Sequence, residues 1–248
     1  KSIITKLIAY IYKTIMIFAV NIRKTVIIVQ NKDDFSFWSN LVYSRSTFVS
    51  LIPGSGVDIN IYKDIKYRFD SKTVLFPARI LIDKGIFEFV EAARNLKERN
   101  PQWKFEIVGA SDYDNPSAVD QDRINDWVKE GIISSLGHQH NMVEVYKNAS
   151  IICLPSYREG MPKVLLEAAA SGLPVIANNI GGLKEVVSHR KTGYLLDTTN
   201  YEKLADYLER LIINDDLRFN LGQNGRDFVK QNFNWDANVA KMLSVYNE

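Results

Sequence analysis

The stretch SYREGMPKVLLEAAASGLPVIAN, Ser156 to Asn178, reads as the end of a strand, a short loop, a helix and the start of another strand. Proline suits a first helical position, because its fixed φ and missing N–H cost nothing there, so the pattern predicts a helix beginning at Pro162. The run Lys163–Ala170, rich in Ala, Leu and Glu, propagates that helix; Gly172 ends it, and Pro174–Ala177 resumes as strand. Two carboxylates stand in this frame, Glu159 in the loop and Glu167 within the helix, with seven residues between them. Free N–H groups at a helix N terminus, opened across a glycine-containing loop, attract an anion. Carboxylates beside them suit a hydroxyl-rich ligand, since each accepts two or more charge-assisted hydrogen bonds. A nucleotide sugar carries both phosphate and hydroxyls and meets both demands.

Outward from this stretch the chain alternates strand and helix, the pattern of a parallel sheet covered on both faces. Upstream, Thr73–Pro77 reads as strand, Phe87–Arg99 as helix, and Lys104–Val108 as a strand ending in Gly109. Gln121–Lys129 is then helical, Ile132–Leu136 extended, Met142–Ala149 helical and Ile151–Pro155 a strand. Downstream come the Gly181-Gly182 turn, the strand Gly193–Leu196, and helices over Tyr201–Ile213, Leu217–Phe233 and Trp235–Tyr246. Nearer the start, Thr25–Gln30 and Phe48–Ile52 are short strands. Between them a helix opens at Asn31, with Asp33 and Asp34 in its first turn. Gly54-x-Gly56 does not make a dinucleotide loop, because the third glycine would fall at Ile59 and no suitable helix follows.

The length of 248 residues allows one large or two small domains. A formal net charge of only +2 argues against a nucleic-acid partner, which calls for a strong basic excess. The single Cys153 excludes a disulfide framework and cysteine-based zinc; within Ile151-Ile152-Cys153-Leu154 it reads as a buried strand residue, and a reducing cytoplasm fits. His138 and His140 have no acid or cysteine beside them to complete a metal set. Residues 1 to about 24 show helical spacing in Ile4, Leu7, Ile8, Ile11, Ile15, Phe18, Ala19 and Ile22. Every charge before Asp33 is positive: Lys1, Lys6, Lys13, Arg23, Lys24 and Lys32. Such a helix can lie on an anionic membrane, but an apolar stripe packed onto a domain core is the reading preferred here. The stretch nearest to a membrane span, Leu7–Val20, is interrupted by Lys13 and falls short of about 20 apolar residues.

The words around the two glutamates carry a resemblance. Glu159-Gly160-Met161-Pro162, Leu166-Glu167-Ala168 and Gly172-x-Pro174-Val175 are similar to the Glu-x7-Glu signature of retaining glycosyltransferases of family 4, which adopt the GT-B fold. Pro162–Ala168 resembles the bacterial branch that builds capsule, O-antigen and related lipid-linked glycans. The resemblance runs from about Thr25 to the C terminus. It implies an α/β chain with a GT-B-type Rossmann-like parallel sheet, helices on both faces, preceded by an incomplete N-terminal domain. Residues 1–53 would be a remnant of the acceptor-binding domain, with Pro53–Asp58 as the inter-domain linker. Residues 54–232 would be the donor-binding domain, and 233–248 a helix packing back toward the first domain. About 50 residues are too few for a doubly wound sheet, so the first half of a longer enzyme is read as missing and this chain alone is expected to be inactive.

By resemblance, Arg79-x4-Lys84-Gly85 matches the family's Arg/Lys pair, which would neutralise a departing diphosphate; Glu159, Arg79 and Lys84 are the implied catalytic set. Glu167 would bond ribose hydroxyls. Glu159 and the backbone of Gly160, Met161 and Pro162 would meet donor sugar and diphosphate, and Gly109 and His138 would flank the nucleotide. The family favours front-face displacement, so Glu159 is not assigned as a covalent nucleophile. The expected chemistry needs no metal or other cofactor. Implied partners are a UDP-sugar donor, a glycan or polyprenyl-diphosphate-linked acceptor, and a peripheral contact with the inner face of the cell membrane. Two other readings use the same cleft: a non-catalytic nucleotide-sugar-binding module, and a GT-B nucleotide-sugar epimerase.

Overall fold

The structure, a computed structural model, describes residues 3–22, 24–66, 70–197 and 200–247. Lys1 and Arg23, both counted among the early positive charges, lie outside the described residues. The chain opens with α1 (Ile3–Ile22), β1 (Thr25–Val29), α2 (Lys32–Ser39) and β2 (Thr47–Leu51). There follow β3 (Thr73–Pro77), α3 (Ile86–Lys97), β4 (Lys104–Val108), α4 (Gln121–Lys129), β5 (Ser134–Ser135) and α5 (Met142–Lys147). Next come β6 (Ile151–Leu154), α6 (Lys163–Ala170), β7 (Val175–Asn178), α7 (Leu183–Val186) and β8 (Gly193–Leu196). Three helices close the chain: α8 (Tyr201–Ile212), α9 (Asp215–Asn232) and α10 (Trp235–Tyr246).

Six strands form one parallel sheet in the order β5-β4-β3-β6-β7-β8. Every residue of β3, β6 and β7 is buried, as expected of strands covered on both faces. On one face Phe76, Phe89 and Phe105 stack at ring-centroid separations of 5.3 and 6.1 Å, tying α3 to the sheet. Burying each such ring contributes about 1.5–3 kcal/mol. On the other face Leu165, Ala168 and Ala169 of α6 pack with Leu154, Ala177 and Val229. Cys153 is fully buried in β6, and desolvation pushes its thiol well above the ordinary range. The chain runs β3, β4, β5 outward to one side, then returns through β6 to the other side of β3. The crevice between the carboxyl ends of β3 and β6 is therefore the topological switch point, where open α/β sheets bind ligands.

Four expectations change in the structure. Helix α6 starts at Lys163, not Pro162: Pro162 is the cap residue, with ψ of 112°, and its carbonyl accepts from Leu165 N at 3.1 Å. The extended stretch Ile132–Leu136 shrinks to the two-residue edge strand β5. The apolar stripe of α1 does not find a core among the described residues. Ile4, Leu7, Ile8, Ile11, Ile15, Phe18 and Ile22 are 49–68% exposed. The reason is size. Strands β1 and β2 pair in parallel as a separate two-stranded sheet, about 10 Å across, whereas 20 helical residues reach about 30 Å. The C-terminal end of the helix is fastened: Thr47 donates its hydroxyl to Val20 O (2.7 Å), and Asn21 bonds Leu41, Tyr43 and Ser44. Ile4–Ile22 is also long and apolar enough, by length and composition alone, to cross a membrane, against the expectation from the shorter Leu7–Val20.

Between the two sheets the linker is fastened at several points, one of them Pro53 O, which accepts from Asn238 Nδ2 at 3.2 Å. Gly54 lies against Met161, where an added Cβ would stand 2.9 Å from Met161 Cγ. Val57 N donates to Phe233 O at 2.9 Å and Trp235 N to Val57 O at 3.2 Å, so α10 begins beside the linker.

Candidate functional site

Lys84 and Glu159 meet at the switch point. Lys84 follows β3 and Glu159 follows β6, and Lys84 Nζ stands 2.7 Å from Glu159 Oε1. Both side chains are largely withdrawn from water, 13% and 15% exposed, so the pair is held in a low-dielectric crevice. Its geometry is set by the loop backbone. Tyr157 N donates to Asp83 O at 2.8 Å, and the Ser156 hydroxyl lies 3.1 Å from the same carbonyl. From the other side, Asn178 Nδ2 donates to Pro155 O (2.9 Å) and Ser156 O (3.0 Å). Ser156 and Asn178 are 0% and 4% exposed: buried polar groups used to lock a loop rather than to meet solvent.

The Gly181-Gly182 turn has a larger part than sequence reading gave it. An added Cβ on Gly182 would lie 1.6 Å from Gly160 O, and one on Gly181 would lie 2.7 Å from Glu159 O. The turn before α7 therefore presses its bare backbone onto the Glu159–Gly160 loop. Across the cleft, Asn31 Nδ2 donates to Gly160 O at 3.4 Å. Lys184 and Asp33 pair at 2.8 Å, and Lys32 and Glu185 at 3.4 Å, so the start of α2 faces α7 through two opposed ion pairs. Met161 packs against the core face under α6, and Pro162 opens that helix with no side chain capping it.

Glu167 is 8% exposed in the second turn of α6. Its Oε2 accepts from the Tyr146 hydroxyl at 3.1 Å, and Lys163 Nζ lies 3.5 Å from Oε1. Sequence reading missed Tyr146; its only signal is a tyrosine at helical spacing in a short element, which reads as core.

Arg79 lies beyond β3 as expected, but its guanidinium turns to Asp112, 2.6 Å away, and is 56% exposed. It is not brought into contact with the Lys84–Glu159 pair. Gly109 and His138 share an open cavity of about 490 Å³ beyond β4 and β5, together with Ser111 and Tyr113. Gly109 is there because strand β4 leaves the sheet against the loop after β3: a Cβ would stand 1.9 Å from Ala78 O. His138 and His140 stack edge to face at 4.7 Å. Among the described residues no three His, Cys, Asp or Glu side chains are grouped as a metal set.

Residues 60–228 match the family model described as Glycosyl transferases group 1. A D-inositol 3-phosphate glycosyltransferase of Corynebacterium efficiens is 32% identical over 183 residues, covering 72% of this chain and 43% of its own length. The N,N'-diacetylbacillosaminyl-diphospho-undecaprenol alpha-1,3-N-acetylgalactosaminyltransferase of Campylobacter jejuni is 34% identical over 176 residues, or 70% of this chain and 44% of its own. Among solved structures, Anabaena HepE in complex with UDP superposes with a TM-score of 0.78 at 19% identity, over 94% of this chain and 67% of that one, a likeness of fold. The chain spans less than half the length of these two curated relatives.

Proposed function

This chain belongs to the group 1 glycosyl transferases, and from that membership we propose that it is the donor-binding part of a retaining glycosyltransferase acting in cell-surface polysaccharide synthesis. The sugar comes from a nucleoside-diphosphate carrier, a UDP-sugar, and goes to a glycan or polyprenyl-diphosphate-linked acceptor. The observation that carries the reading is the Lys84–Glu159 pair at the switch point, 2.7 Å apart and shielded from water. When the bond from the anomeric carbon to the phosphate oxygen breaks, negative charge grows on the diphosphate, and a fixed cation stabilises it most in such a place. The acceptor oxygen bonds the same face of that carbon, and the acceptor's hydroxyl proton leaves with the diphosphate. In this scheme Lys84 faces the departing diphosphate, with Arg79 swinging from Asp112 to join it. Glu159 and the backbone of Gly160, Met161 and Pro162 position the sugar, Glu167 takes the ribose, and Gly109 and His138 flank the base.

Supporting the donor assignment, HepE of the same fold is described in complex with UDP; supporting a lipid-linked acceptor, the Campylobacter relative's name includes a diphospho-undecaprenol. Residues 1–53 then form the edge of an acceptor-binding domain, 54–232 the donor domain, and 233–248 the returning helix. The test is calorimetric titration with UDP, GDP and ADP, with and without magnesium. We expect UDP to bind in both conditions; a folded chain that binds none of the three would falsify the donor site. We place the protein on the cytoplasmic side, with the lysine-bearing, apolar α1 in peripheral contact with the membrane. Flotation with anionic vesicles checks this, and a chain that stays unbound removes the contact.

A further inference from the structure

Glu167 is an almost buried carboxylate whose surroundings are more elaborate than a helix surface requires. Tyr146, on α5, is fully buried, and its hydroxyl lies 3.1 Å from Glu167 Oε2 and 3.2 Å from Val164 O on the same helix as Glu167. Tyr62, just past the linker, is 5% exposed and its ring centroid is 6.2 Å from that of Tyr146. Burial first, then the charge of Glu167 and a hydrogen bond to it, hold both phenols well above the ordinary tyrosine range. Tyr146 therefore keeps its proton and stays a donor toward the carboxylate. A desolvated carboxylate without such a donor has no partner on its buried side to fix its direction. The cation nearest to Glu167, Lys163 at 3.5 Å, is 68% exposed and free to move aside.

We propose that Tyr146 is a positioning residue that holds the Glu167 carboxylate aimed at the vicinal hydroxyls of the donor's ribose. The proposal rests on the reading of Glu167 as the ribose ligand. A carboxylate fixed by a phenol on its buried side presents its remaining lone pairs in one direction, which suits two adjacent hydroxyls and not a deoxyribose.

The experiment is calorimetric titration of the full chain with UDP, 2′-deoxy-UDP and inorganic pyrophosphate, comparing wild type with Tyr146→Phe. The variant keeps its ring packing, and circular dichroism confirms its fold. We expect Tyr146→Phe to weaken UDP roughly three- to tenfold, the loss of one hydrogen bond to a charged group, while pyrophosphate is unchanged and the preference for UDP over the deoxy ligand shrinks. Equal losses for all three ligands, or an unchanged preference, overturn the positioning role. If wild type binds UDP and its deoxy form equally, the ribose assignment falls and the proposal with it. If folded wild type binds neither, the donor site itself falls.

Discussion

At the scale of single residues, the division of labour between the two cations beyond β3 is the informative contrast. Lys84 is enclosed and paired with Glu159, whereas Arg79 is exposed and paired with Asp112. Removing one member of an enclosed pair leaves the other charge desolvated and uncompensated, while an exposed pair contributes about 0–1 kcal/mol. Lys84→Ala is therefore expected to cost nucleoside-diphosphate affinity tenfold or more by calorimetry, a loss of about 1.4 kcal/mol or greater, and Arg79→Ala markedly less. Unchanged affinity in Lys84→Ala would remove the phosphate role. Sequence reading singled out Lys84, Glu159 and Glu167 through their spacing and neighbours, and the structure brings Lys84 and Glu159 together. It could not rank Arg79 below Lys84, because the difference lies in Asp112, which follows a different strand. Tyr146 was out of reach for the same reason: a tyrosine's hydroxyl partner cannot be read from its own helix.

At the scale of elements, most boundaries were legible because the local signals agree. Asn31, Asn141, Asn200, Asn214 and Asn234 each cap a helix through the side chain, and the strand runs are uninterrupted by polar residues at β3, β6 and β7. Where the pattern failed, the missing information was tertiary. Arg218 on α9 is 1% exposed, donating to Ile212 O at 3.0 Å and to Leu211 O at the end of α8, partners that its own helix does not reveal. The glycines before α7 read as a turn, yet their use is to let two loops touch through backbone alone. Gly182 has an ordinary helical φ of −68°, so alanine there is strained only by its overlap with Gly160 O. Gly182→Ala should lower stability by about 1–3 kcal/mol in urea titrations and weaken nucleotide binding, because the Glu159 loop must retreat. A variant with the wild-type midpoint and affinity would show that the loops separate without consequence.

At the scale of the whole molecule, the contacts across the cleft combine two ion pairs with the Asn31–Gly160 hydrogen bond. The Lys184–Asp33 pair is 37% and 56% exposed, a surface pair in contact with salt. A double-mutant cycle on Asp33→Ala and Lys184→Ala should give a coupling of about 0.2–1 kcal/mol at low ionic strength, vanishing in concentrated salt. A coupling of zero at low salt would mean that the cleft does not rest in this arrangement. The linker behaves differently, being held by packing at Gly54 and by backbone bonds at Val57. A segment held in this way is expected to act as a crank and not a tether: with Gly54 against Met161, two residues from Glu159, a ligand that tightens that loop should turn the first two strands with it.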